Sequence, residues 1–168
     1  YNGRFFIDHR MFYQNYIMNA SMVVFRKNSR HPDKAYMNYR YVGDWLFWVG
    51  ILLNGNTVYI DKQLNLFRQH AGNTTATSFS SGNNYKEMGR LMTDICRIVQ
   101  PPTGFKPYLY GYFFVHLRRH FKKMKYNPSI VKEIFDEWAR NENRTFSIIW
   151  YRIAKWLCLY KDKRPFRP

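Results

Sequence analysis

Nine consecutive residues, Trp45 to Leu53 (WLFWVGILL), carry no charged, amide or hydroxyl side chain. A run this apolar has to be buried on every side, so the chain must fold around it. Asp44 precedes it and Asn54-Gly55-Asn56 follows. These are helix start and stop signals. A carboxylate receives free N–H groups of the first turn, and a glycine past the end accepts a left-handed backbone. The uncharged stretch continues to Ile60 but is broken at 54–56, short of the ~20 residues a membrane-spanning helix needs. No signal peptide opens the chain.

The segments around this helix read as strands. Ala20 to Arg26 (ASMVVFR) is β-branched and apolar on both faces, the pattern of a buried strand. Thr57 to Ile60 and Leu64 to Phe67 read as two more, joined through Asp61-Lys62. The character changes at Ser78–Asn84, where FSSGNN is loop-like. Beyond it every segment reads as helix: Tyr85–Val99, stopped by Pro101-Pro102, then Tyr108–Lys125, then a helix opened by Asn127-Pro128, then one capped by Thr145. Apolar stripes mark the core faces: Leu109, Phe113, Leu117 and Phe121 on one helix, Ile149, Trp150, Ile153 and Trp156 on the last. The expected architecture is therefore mixed α/β: residues 1–84 as strands with one packed helix, and residues 85–168 as a basic, all-helical region.

Charge narrows the partners. The 168 residues carry a formal net charge of +16, with 27 Lys and Arg against 11 Asp and Glu. Such a field favours an anionic partner: nucleic acid, phospholipid or a phosphorylated substrate. Aromatic residues make up 20% of the chain, which excludes disorder. HLRRHFKKMK and YRIAKWLCLYKDKRPFR mix rings with cations, as helices lying on anionic lipid do. A nucleic-acid-binding module is the alternative that charge and rings permit, but no recognised binding motif is present. The two cysteines, Cys96 and Cys158, have no partner at metal-ligand spacing and read as buried free thiols of a reducing compartment.

On residues 10–75 the order of motifs is specific: Asn19-Ala20-Ser21, Phe25-Arg26-Lys27, Gly43-Asp44-Trp45, Asn54-Gly55, Tyr59-Ile60, Leu64-Asn65 and Phe67-Arg68-Gln69-His70. This resembles the second, acceptor-side half of a family 2 glycosyltransferase with the GT-A fold. The resemblance implies an inverting transfer from a nucleotide-sugar donor to a polysaccharide or lipid-linked sugar acceptor, with Asp44 as general base. A positioned carboxylate takes the proton of a sugar hydroxyl, itself a poor nucleophile, as it attacks. It further implies that Trp45 and Arg68 contact substrate, that Asn19 and Ser21 lie along the acceptor, and that His70 ligates a metal. Arg68 and His70 are two apart on a strand-like segment and so share a face. The family's donor half carries an Asp-X-Asp that holds a divalent cation, Mn or Mg, on the donor diphosphate. This chain contains no Asp-X-Asp and opens YNGRFFIDHR without an initiator Met. It is thus expected to be the acceptor half of a longer cytoplasmic enzyme, peripheral on the inner membrane face, that need not bind the cation itself. An open sheet edge would favour a homodimer.

Overall fold

A computed structural model describes residues 1–26, 34–60, 62, 64–66 and 74–160. The chain divides at Thr74 and Thr75 into two compact units.

In the first unit, α1 (Gly3–Phe6) is capped by Asn2, whose side chain accepts from the backbone N–H groups of Arg4 and Phe5, and it runs on into a π-helical turn, Ile7–Met11. Short 3-10 turns follow at Ala20–Met22 and Lys34–Asn38. The apolar run forms α2 (Gly43–Leu52). Trp45, Leu46, Trp48, Val49 and Leu52 are buried on it, together with Ile7, Met11 and Phe12. Helix α2 ends differently from the expectation. Gly55 is not in the left-handed region, and its carbonyl instead accepts from Gly3 N–H at 2.9 Å. A Cβ on Gly3 would sit 1.8 Å from the Leu52 carbonyl oxygen, so only glycine lets α1 approach the end of α2 this closely.

The expected mixed α/β fold with a partial GT-A sheet is overturned: every regular element among the described residues is helical. Ala20–Met22 of the first expected strand is a 3-10 turn, and Val23–Arg26, Thr57–Ile60 and Leu64–Asn65–Leu66 have no regular structure. Phe67 lies outside the described residues. Among the described residues the ladder is reduced to one antiparallel bridge, Asn2 with Asn56, extended by Thr57 N–H donating to the Tyr1 carbonyl at 2.7 Å. The physical reason is that β-branched content measures how well a residue fits a pleated, half-buried surface, not an intrinsic drive to extend. These segments have no such surface, and Val24, Val58 and Leu66 remain exposed.

The second unit is helical, as expected from Tyr85 onward, but the loop expected at Ser78–Asn84 is instead helical on either side of Gly82. The unit comprises α3 (Thr74–Ser81), α4 (Asn83–Val99), α5 (Phe105–Lys123), α6 (Pro128–Asn141) and α7 (Arg144–Trp156). Gly82 and Gly104 take positive φ of 75° and 83° just before α4 and α5, where a side chain would be strained. Asn127 caps α6 by accepting from Ser129 N–H, with Pro128 in the first turn. The cap of α7 is Asn143, which accepts from Phe146 N–H at 2.9 Å, and not Thr145.

Trp138 lies at the centre, fully buried and flat against Gly89, where a Cβ would meet the indole at 2.9 Å. Its indole N–H donates to the Tyr85 carbonyl at 2.7 Å. Leu91, Met92, Ile95, Leu109, Tyr110, Phe114 and Ile134 complete the core. Cys96 is buried there, which pushes its thiol up to about 12; Cys158, expected buried, is exposed. No helix among the described residues is long and apolar enough to cross a membrane.

Candidate functional site

The first turn of α2 carries the site, and two adjacent residues build it for different reasons. Gly43 is required by contact: a Cβ there would lie 2.3 Å from the Tyr36 carbonyl oxygen. Its absence lets the Lys34–Asn38 turn press against the start of α2. The turn and the following residues then form one wall of an open groove of about 360 Å³, lined by Tyr36, Met37, Tyr39, Arg40, Tyr41 and Asp44. That size is at the lower end of small-molecule sites. The Arg40 guanidinium sits 5.6 Å from the centre of the Tyr41 ring.

Asp44 is the groove's carboxylate. It is the second residue of α2, not its N-cap; that place belongs to Val42, which makes no side-chain capping bond. One oxygen, Oδ1, accepts from Trp45 N–H at 2.8 Å. The other, Oδ2, receives a long contact of 3.4 Å from Asn15 Nδ2, beyond the usual 2.7–3.2 Å of an N–H···O bond. A carboxylate offers about four acceptor positions, so Oδ2 keeps capacity for an incoming hydroxyl. The Asp44 pKa is raised above the ordinary aspartate value. Desolvation is the largest cause, and bonds from the Trp45 N–H, the Asn15 amide and Asp44's own N–H oppose it. The residue as a whole is exposed, so water moderates the size of the shift while its direction, towards a stronger base, stands.

Trp45, Asn19 and Ser21, also expected at the site, do not line this groove. Trp45 is buried, and its indole N–H donates to the Met11 carbonyl at 2.8 Å. It anchors α2 and does not line the groove. Asn19 Oδ1 accepts from Ser21 N–H at 3.1 Å, and Ser21 Oγ accepts from Asn65 Nδ2 at 3.2 Å, a local cluster that closes a turn. Arg68 and His70 lie outside the described residues. Among the described residues no three His, Cys, Asp or Glu side chains gather as a metal site, so the structure assigns no ligand to the divalent cation that the resemblance implies.

Comparison with known proteins adds no relative. No family model, curated protein or solved structure matches this chain.

The groove residues Tyr36, Tyr39, Arg40 and Tyr41, and Asn15 beside Asp44, were not legible as site residues. The available signal was local density: AYMNYRYVGD places three tyrosines and an arginine immediately before the acid. In the second unit, a separate groove is bordered by Arg118, Lys122, Lys132 and Arg144. Lys132 is tied to Asp136 at 2.6 Å and Arg144 covers the Phe135 ring at 4.8 Å.

Proposed function

We propose that this chain is the acceptor-side portion of an inverting glycosyltransferase in which Asp44 is the general base. The acceptor hydroxyl enters the groove and its oxygen attacks the anomeric carbon of a nucleotide-activated sugar. The bond from that carbon to the diphosphate oxygen breaks, and the nucleoside diphosphate leaves with the electron pair. Asp44 Oδ2 takes the hydroxyl proton and later yields it to water. The observation that carries this reading is Asp44 at the groove, with its Oδ2 held by a 3.4 Å contact to Asn15 and its pKa raised. A base with a raised pKa is better matched to proton removal near neutrality. Tyr36, Tyr39 and Tyr41 line the groove beside the carboxylate, and aromatic rings are suited to the apolar faces of a sugar.

Asp44 and its groove support the reading without a sheet, which the described residues lack. The donor diphosphate and its divalent cation belong to the donor side, where an Asp-X-Asp would hold them. The acceptor is a polysaccharide or lipid-linked sugar, and the enzyme works peripherally on the cytoplasmic membrane face. The nucleic-acid alternative gains nothing from the rings of the second unit, since Tyr110, Phe113, Phe114, Phe121 and Phe135 are buried in its core.

The test is Asp44→Asn in the full-length enzyme. Transfer should fall on the order of 10²–10⁴-fold in kcat, with the thermal melt within a few degrees of wild type. Wild-type kcat in the variant would overturn the assignment.

A further inference from the structure

Helix α7 turns most of its expected apolar stripe away from the core, with Trp150 alone of that stripe half-buried. Its large apolar residues predict a stripe turned into the core, yet α7 meets α5 through Ser147, Tyr151 and Ala154, all buried. Gly111 of α5 makes this possible: a Cβ there would lie 2.0 Å from the Ser147 carbonyl oxygen and 2.6 Å from Tyr151 Cβ. The Trp150 indole N–H donates to the Gly104 carbonyl at 2.8 Å, and Tyr160 Oη donates to the Thr103 carbonyl at 2.7 Å. Both bonds hold α7 to the start of α5. The opposite face is left uncovered. Phe146 is 53% exposed, Ile149 52%, Ile153 42% and Trp156 82%. Their spacing of three, four and three residues puts them on one continuous strip.

We infer that this strip of α7 is the surface by which the protein lies on an anionic lipid bilayer. The charge beside it selects that occupant. Arg152 is three residues after Ile149 and four before Trp156, so it sits at the margin of the strip. From Asn143 to Lys161 the sequence holds Arg144, Arg152, Lys155 and Lys161 and no acidic residue. An apolar strip with Trp and Phe, bordered by Arg and Lys, matches a helix lying in the headgroup region of an anionic bilayer. The other ring-and-cation segment does not offer this combination. On α5, Arg118, Arg119, Lys122 and Lys123 point to solvent, but Leu117 and Phe121 are buried. The inference deepens the peripheral membrane placement proposed above and rests on it; it is independent of the chemistry at Asp44.

The experiment measures co-sedimentation of the chain with phosphatidylcholine vesicles, with and without 30 mol% phosphatidylserine, at low salt. Wild type should bind the anionic vesicles and leave the neutral ones mostly unbound. The triple variant Ile149→Ser, Ile153→Ser, Trp156→Ser should bind at least ~10-fold more weakly with an unchanged melt, since all three side chains are exposed. The pair Arg152→Glu, Lys155→Glu should weaken binding to the anionic vesicles alone. Wild-type binding by the triple variant would overturn the role of α7 while leaving membrane placement to other cationic surfaces. No binding by wild type would overturn both. Lipid-free self-association that the triple variant abolishes, without vesicle binding by wild type, would assign the strip to a second copy of the chain and overturn the inference.

Discussion

Replacing Gly111 with alanine tests how α7 is seated, and two principles give opposite signs for the result. In an exposed helix interior, Gly→Ala gains about 0.8–1.0 kcal/mol from propensity. Here the new methyl would lie 2.0 Å from the Ser147 carbonyl oxygen, 2.7 Å from its carbonyl carbon and 2.6 Å from Tyr151 Cβ. Carbon and oxygen come no closer than about 3.3 Å even in favourable C–H···O contacts, so α5 and α7 must separate by more than about 1 Å. Two of the three obstacles are backbone atoms, which no rotamer change relieves. Overpacking of this kind typically costs about 1–3 kcal/mol, and the depth of this overlap points to the upper end. With about 3 kcal/mol of overlap against about 1 kcal/mol of propensity, the variant should lose about 2 kcal/mol. In a chain of this size each kcal/mol moves Tm by about 2–4 °C, so the expected drop is about 4–8 °C by far-UV circular dichroism. If α7 instead buried its Ile149, Ile153 and Trp156 face, Gly111 would have no carbonyl against it. An unchanged or raised Tm would therefore refute the packing described for α7.

Two further predictions follow from named groups. The raised Asp44 pKa means that the folded chain holds this proton more tightly than the unfolded chain does. Stability should therefore fall as pH rises from the ordinary aspartate value through the raised one; Asp44→Asn should lack that part of the slope in denaturant midpoints measured from about pH 3 to 7, and identical slopes would contradict the shift. Asn143→Ala should destabilise by about 0.5–2 kcal/mol as a lost helix cap, whereas Thr145→Ala should change little; equal urea midpoint shifts for the two would place the cap wrongly.

The helical second unit was legible because its signals are local. Apolar residues recur at helical spacing along α4, α5 and α6, Pro101-Pro102 follows the end of α4, and Asn127-Pro128 announces α6 in two letters. The orientation of α7 was not legible. A stripe of Ile149, Ile153 and Trp156 normally means core, and only the contact of Gly111 with Ser147, between residues 36 apart in sequence, turns the helix round. Strands were misread in the first unit for a related reason: a strand is a pairing, and among the described residues 23–26 and 58–60 have β-like composition without a strand beside them, while Thr57 pairs only with Tyr1. Of the candidate site, Asp44 could be singled out because an acid opening an apolar helix is visible in one dimension. The tyrosine wall depends on Gly43 admitting the Tyr36 carbonyl, a contact that sequence spacing does not encode.

The most direct measurement of the central claim is the pH dependence of kcat for transfer by the full-length enzyme and its Asp44→Asn variant. If Asp44 removes the acceptor proton, wild-type kcat rises with pH through the Asp44 pKa and then levels, while the variant is at least ~100-fold slower and lacks that limb. A variant that keeps the wild-type rate, or keeps the same acid limb, would show that the proton leaves by another route.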